Sequence, residues 1–273
     1  MTSVAATGHG HACLAYDDPA TWHARTVEQV TVGLAAGEQV WVVGPEEPGA
    51  VTRRLGSVPG FDAALGRGTV RLFATGDAYR HDRAVDPRRQ VRAYARATAE
   101  ALAAGHTGLR VVADATALVR DAARRDAFAR YEHQVDRWMR HRPMSAVCAY
   151  DRRALGDAAV AELACLHPES NADVPFRLHA GDGDAVVALG GELDQTHHAL
   201  FAAALDRADP RPVAGRLVVD AADLRFVDHR ALLRLRDHAR RHRAAVVLRT
   251  RRPAVARLVE LLGLTEVRVE VLR

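Results

Sequence analysis

Gln39-Val40-Trp41-Val42-Val43-Gly44-Pro45 decides how the first two-thirds of the chain is read: a short β-branched and aromatic run halted by a Gly-Pro pair. A run of that length, apolar on successive residues and bounded by turn formers, is a buried strand. Upstream, Pro19 to Leu34 places Val27, Val30, Val32 and Leu34 on an amphipathic pattern, so a helix leads into the strand. Downstream, Val70-Arg71-Leu72-Phe73 is a second strand. Arg88 to Ala104 carries Val91, Tyr94, Ala95, Thr98, Ala99 and Leu102 at helical spacing until Gly105 stops it. Leu109 to Asp114 is a strand ending in an acid, about Asp121 to Arg140 a helix, Met144 to Tyr150 a strand and Asp157 to Cys165 a helix. Helices alternating with apolar strands predict an α/β layer structure, with a mainly parallel sheet and helices on both faces.

The pattern breaks at Leu166-His167-Pro168-Glu169-Ser170-Asn171-Ala172-Asp173-Val174-Pro175, where two prolines sit among turn formers. This places a first domain at residues 1–170, a linker at 171–176 and a second domain at 177–273. The second domain reads as strands at Phe176 to His179, Ala185 to Leu189, Arg216 to Val219, Ala245 to Leu248 and Val267 to Val271. Helices are expected at Thr196 to Ala208, Arg230 to His242 and Pro253 to Leu262. It is a smaller α/β unit, complete in itself. A chain of 273 residues suits two such domains.

All 38 basic side chains are arginine, with no lysine. That excludes Schiff-base and general-base lysine chemistry, and the P-loop lysine that reaches nucleotide phosphates. The net charge of +4 arises entirely after residue 176, where 17 Arg face 13 acids. No arginine run is interleaved with aromatics, so a nucleic-acid partner is not expected. Arg234, Arg236, Arg240, Arg241 and Arg243 read as a solvated helix face. Cys13, Cys148 and Cys165 fit neither a disulfide framework nor a CxxC zinc site, which points to a reducing cytoplasm. The first eighteen residues lack an export-signal pattern and no apolar run reaches membrane-spanning length, so no membrane partner is expected.

Three segments of the second domain resemble the STAS family of anti-sigma-factor antagonists, in family order. They are Gly191-Glu192-Leu193-Asp194, the strand from Val218 into Asp223-Leu224-Arg225-Phe226-Val227-Asp228, and Pro253-Ala254-Val255-Ala256-Arg257-Leu258 through Gly263-Leu264. The resemblance implies a protein-binding module whose partner is an anti-sigma factor and whose switch is a serine after the aspartate, phosphorylated at a helix start. A phosphate there would lie against the positive end of the helix dipole. Here the segment is Asp228-His229-Arg230, with no hydroxyl. Glu192, Asp194, Asp228, His229 and Arg230 form the expected partner surface. Either His229 and Arg230 lock it in the charge state of the unmodified form, or the domain has drifted from kinase control and serves dimerisation or relay.

In the first domain, Gly44-Pro45-Glu46-Glu47-Pro48-Gly49-Ala50-Val51-Thr52 lies where a P-loop would. It keeps the two glycines but has Ala50 for the lysine and Val51 for the hydroxyl, with Glu46 and Glu47 opposing phosphate. It is either a phosphate loop that has lost its function or simply a loop. The domain resembles the MEDS sensory family, related to RecA/KaiC-like ATPases. The segments that carry this are His11-Ala12-Cys13-Leu14-Ala15-Tyr16, Gly33-Leu34-Ala35-Ala36-Gly37-Glu38, Tyr131-Glu132, Cys148-Ala149-Tyr150-Asp151 and Leu166-His167-Pro168. The resemblance implies a RecA/KaiC-like sheet and sensing of a small organic ligand.

His11, Cys13, Cys148 and His167 are types a soft metal site would use, but buried Cys and hydrogen-bonded His are the commoner state, so no metal is expected. A ligand pocket is expected at the carboxyl ends of the strands, lined from among His11, Cys13, Tyr16, Asp114, Glu132, Cys148, Asp151 and His167. The whole chain then reads as a non-enzymatic, cytoplasmic signalling regulator with no cofactor. Its expected partners are a protein, a small organic ligand and a second copy of itself. The alternatives are an enzyme or a nucleotide- or metal-binding protein on the first domain, and a purely structural oligomerisation module.

Overall fold

The computed structural model describes residues 10–79 and 84–273; the first nine residues, half of the segment judged for an export signal, lie outside it. The chain divides into two units: residues up to Leu163 with Glu169–Ala172, and Ala164–Pro168 with Asp173–Arg273.

In the first unit the strands are β1 (His11–Tyr16), β2 (Gln39–Gly44), β3 (Val70–Ala74), β4 (Leu109–Asp114), β5 (Met144–Asp151) and the two-residue β6 (Glu169–Ser170). All pair in parallel, in the order β3-β2-β4-β5-β1-β6. The helices are α1 (Pro19–Ala35), α2 (Pro48–Leu55), α3 (Phe61–Gly66), α4 (Thr75–Ala78), α5 (Pro87–Ala103), α6 (Ala122–Met139), α7 (Arg152–Leu155) and α8 (Asp157–Ala164). Capping follows the sequence: Asp18, Asp86 and Asp121 each accept a backbone N–H at the starts of α1, α5 and α6.

Strand pleating sorts each strand onto two faces. Val40 and Val42 of β2 pack with Val30 of α1, Leu55 of α2 and Phe61 of α3. Ala12, Leu14 and Tyr16 of β1 pack with Trp22 of α1. On the opposite face Trp41 meets Tyr94 of α5 at 6.2 Å between ring centroids, and α6 covers β1 and β5. The edge beyond β1 is closed by a side chain: Ala15 N–H donates to Asn171 Oδ1 at 2.7 Å and Asn171 Nδ2 donates to the Ala15 carbonyl at 2.8 Å.

The second unit is a mixed sheet of β7 (Phe176–Ala180), β8 (Val187–Leu193), β9 (Arg216–Ala221), β10 (Leu224–Val227), β11 (Ala245–Thr250) and β12 (Val267–Val271). Its path is β10-β8-β9-β11-β12, and β7 pairs antiparallel with β8. Its helices are α9 (His198–Ala208), α10 (His229–Arg241) and α11 (Pro253–Leu261). Gly191 has φ +94°, and a Cβ there would fall 2.3 Å from the Pro175 carbonyl oxygen, so only glycine lets β7 and β8 approach at this point. The expected α/β class is present in both units: the first has an all-parallel sheet, and the smaller second unit has a mixed one.

Candidate functional site

The residues expected to line one pocket are divided by the sheet. His11, Cys13 and Cys148 alternate onto the face beneath α6. There Glu132 and Asp136, one helical turn apart, reach the same imidazole: Nε2 lies 2.8 Å from Glu132 Oε2 and Nδ1 3.3 Å from Asp136 Oδ1. Cys148 Sγ is 3.6 Å from both His11 Nε2 and Glu132 Oε2, and Tyr150 O–H donates to Glu132 Oε1 at 3.2 Å. Every member is buried.

Burial alone would disfavour a charged His11, but the Glu132 charge and the hydrogen bonds from its neighbours outweigh it and hold its pKa well above the usual value. Glu132 and Asp136 thus favour the protonated imidazole. Burial, reinforced by Glu132, pushes the Cys148 thiol up to about 12, and burial does the same to Cys13. Neither thiol is a thiolate near neutrality, so neither is an activated nucleophile.

Tyr16, Asp114 and Asp151 gather separately, at the carboxyl ends of β1, β4 and β5. Tyr16 O–H donates to Asp114 Oδ2, the Thr116 N–H donates to Asp114 Oδ1 at 2.9 Å, and the Asp151 N–H donates to Thr116 Oγ1 at 3.0 Å. Burial raises the pKa of Asp114 against these hydrogen bonds. Asp151 Oδ1 also accepts from Arg153 N–H at 2.8 Å and so caps α7. His167 is buried and lies on Ala164–Pro168, within the second unit.

In the segment from Gly44 to Val51, Ala50 and Val51 lie inside α2. Pro45 and Pro48 have no N–H to offer, and Glu47, at the helix start, caps nothing with its side chain.

The second unit has an exposed site at the start of α10. Asp228 is its N-cap: Oδ1 accepts the Ala231 N–H at 2.9 Å, while Oδ2 lies 2.6 Å from His198 Nε2. His229 and Arg230 follow in the first turn, both exposed, beside Phe226, which is 51% exposed. Asp194 Oδ1 accepts from the Thr196 hydroxyl and N–H, which hold the carboxyl below its usual range. Glu192 lies 3.0 Å from Arg225 Nε. Sequence reasoning does not reach Asp136, Thr116 or His198, and meets Tyr150 only as part of a family motif. The one available signal was the four-residue spacing of Glu132 and Asp136 on a predicted helix.

A family model described as the methanogen/methylotroph, DcmR sensory domain, MEDS, matches residues 10–168, more than half of the chain. The chain belongs to the MEDS family. A second model, described as the Mlab, STAS domain, matches residues 176–272. The order of the two is the one the sequence motifs gave. No curated protein matches the chain.

Several residues of the MEDS motifs have structural work in this domain. A Cβ on Gly33 would fall 2.5 Å from Val40 Cγ2, so this glycine lets α1 lie close against β2. Gly37 takes φ +73° just after the helix ends. Glu38 is buried with Arg110: Nε donates to Glu38 Oε2 and Nη1 to Gln29 Oε1, both at 2.6 Å. A MEDS sensory domain joined to a STAS domain supports a signalling or regulatory role, since STAS domains are generally protein-interaction modules. Among the described residues no helix is long and apolar enough to cross a membrane.

Proposed function

We propose that the chain is a two-domain regulator, with a sensory domain at 1–170, a linker at 171–176 and a domain at 177–273 that binds an anti-sigma factor without phosphate control. The observation that carries this is the start of α10. Asp228 is fixed by its capping bond and by His198, so the next residue is exposed at a helix N-terminus, and that residue is His229. Arg230 adds positive charge where a phospho-switch would add negative charge. Glu192, Asp194 and Asp228 with His229 and Arg230 form the docking surface of this reading, constitutively in the unmodified charge state.

The first domain acts in this scheme without nucleotide. Two prolines deplete the backbone donors of the loop at Gly44 and Gly49, and Glu46 and Glu47 oppose phosphate. The test combines phosphorylation with capture. Incubation with ATP and an anti-sigma kinase should leave residues 226–232 unmodified by mass spectrometry, while immobilised anti-sigma factor retains the chain. His229→Glu, mimicking the added charge, should weaken retention at least tenfold. Phosphate within that segment, or retention indifferent to His229→Glu, overturns the proposal.

A further inference from the structure

On the α1 face of the first unit, at the carboxyl end of β2, a small groove opens between α1, β2 and α2. Trp22 and Val27 of α1, Val42 of β2, and Val51 and Leu55 of α2 make its walls apolar. The one hydroxyl among them is spent, since Thr26 Oγ1 donates to the Trp22 carbonyl at 2.9 Å.

Three polar side chains, His23, Glu46 and Arg54, also line it. Glu46 Oε1 lies 3.3 Å from His23 Nε2 and 3.4 Å from Arg54 Nη2. Its other oxygen, Oε2, is shielded from solvent and has no hydrogen-bond partner among the described residues. A shielded carboxylate oxygen without a donor is a standing cost, which a ligand donor would relieve. Arg54 already balances the Glu46 charge, so a cationic ligand would meet the guanidinium and an anionic one the carboxylate.

We propose that this groove binds a small uncharged organic molecule, with an apolar body against Trp22 and Val51 and one hydroxyl or N–H group donating to Glu46 Oε2. The two glutamates that disqualify the loop as a phosphate site thus become, through Glu46, the polar anchor of a different site. This names a seat and a ligand class for the sensory reading and rests on that reading only for its purpose.

The test is calorimetric titration of the full chain with four probes of one shape: benzyl alcohol, toluene, benzylammonium and benzoate. Benzyl alcohol should bind saturably, one per chain, and toluene about tenfold more weakly, the worth of one hydrogen bond to a charged group. The two ions should bind more weakly still. Glu46→Ala, at the rim, should abolish the preference for the alcohol over toluene while leaving toluene binding in place. Val51→Trp should fill the groove and abolish binding of both. No saturable binding of the alcohol, tighter binding of either ion, or an alcohol preference that survives Glu46→Ala overturns the assignment. Anti-sigma-factor capture with and without benzyl alcohol separates the two proposals. Binding without any effect on capture leaves the groove standing and removes its sensory role.

Discussion

Replacing Glu38 by alanine strips Arg110 of its only charged partner among the described residues, in a place water does not reach. Arg110 is 3% exposed and Glu38 6%. In the variant the guanidinium would retain, among the described residues, the neutral Gln29 oxygen at 2.6 Å. Removing one member of a buried pair leaves an uncompensated charge, at a cost of about 3–5 kcal/mol. All three tryptophans, Trp22, Trp41 and Trp138, lie in the first unit, so their fluorescence reports its unfolding alone. With an m-value of ~2–3 kcal/mol/M, the urea midpoint of that transition should fall by about 1–2 M. The matched control is the double variant Glu38→Leu with Arg110→Met, which removes both charges and should recover most of the loss, since apolar replacement of a whole buried pair is often neutral. A single variant that loses under about 1 kcal/mol, or a double variant no better than the single, refutes the view that the charge left behind sets the cost.

The two units should respond oppositely to pH. His11 has a raised folded pKa, so its contribution is complete below the unfolded value near 6.5 and is lost as pH rises toward the folded one. The tryptophan-reported stability should therefore fall by up to about 1.4 kcal/mol per pH unit as pH rises above roughly 6.5. His11→Gln should flatten that window and leave the steeper loss above pH ~8.5 that follows from the raised Cys13 and Cys148 thiols. His238 in α10 has a pKa lowered by burial, so its contribution is present above the unfolded value and is lost as pH falls through it. Protection of the α10 amides, with exchange corrected for its intrinsic slowing in acid, should then fall below about pH 6.5, and unchanged protection would contradict this. Asp228→Ala removes an N-cap and the His198 contact, and should cost about 1 kcal/mol, read as faster exchange in the first turn of α10.

Much of the backbone was legible because largely apolar strands bounded by turn formers announce themselves. Leu109–Asp114 is observed as expected, and the runs at 39 and 144 each gain one residue. The short helix Phe61–Gly66 was not, since six residues give periodicity too little length. At the site the sequence could say that His11 and Cys13 share a face, because alternation is local. It could not say that Glu132 and Asp136 of α6 lie over that face, because this depends on β1 inserting beside β5, 137 residues away for His11 and Cys148. The same pleat turns Tyr16 away from His11, which is why a list of suitable residue types became two separate clusters. Nor could the groove be read, since its anchor belongs to a loop judged by what it lacks for phosphate.

The amide of Asn171 has a consequence for how the protein behaves in a crowd. An open sheet edge is a template on which another chain can lay a strand. The usual deterrents are a proline or a lysine along the edge, and this chain has no lysine at all. By holding both the N–H and the carbonyl of Ala15, Asn171 uses up the hydrogen bonds that a foreign strand would need beyond the two residues of β6. One side chain thus blocks a foreign strand from pairing with the part of β1 that β6 leaves uncovered.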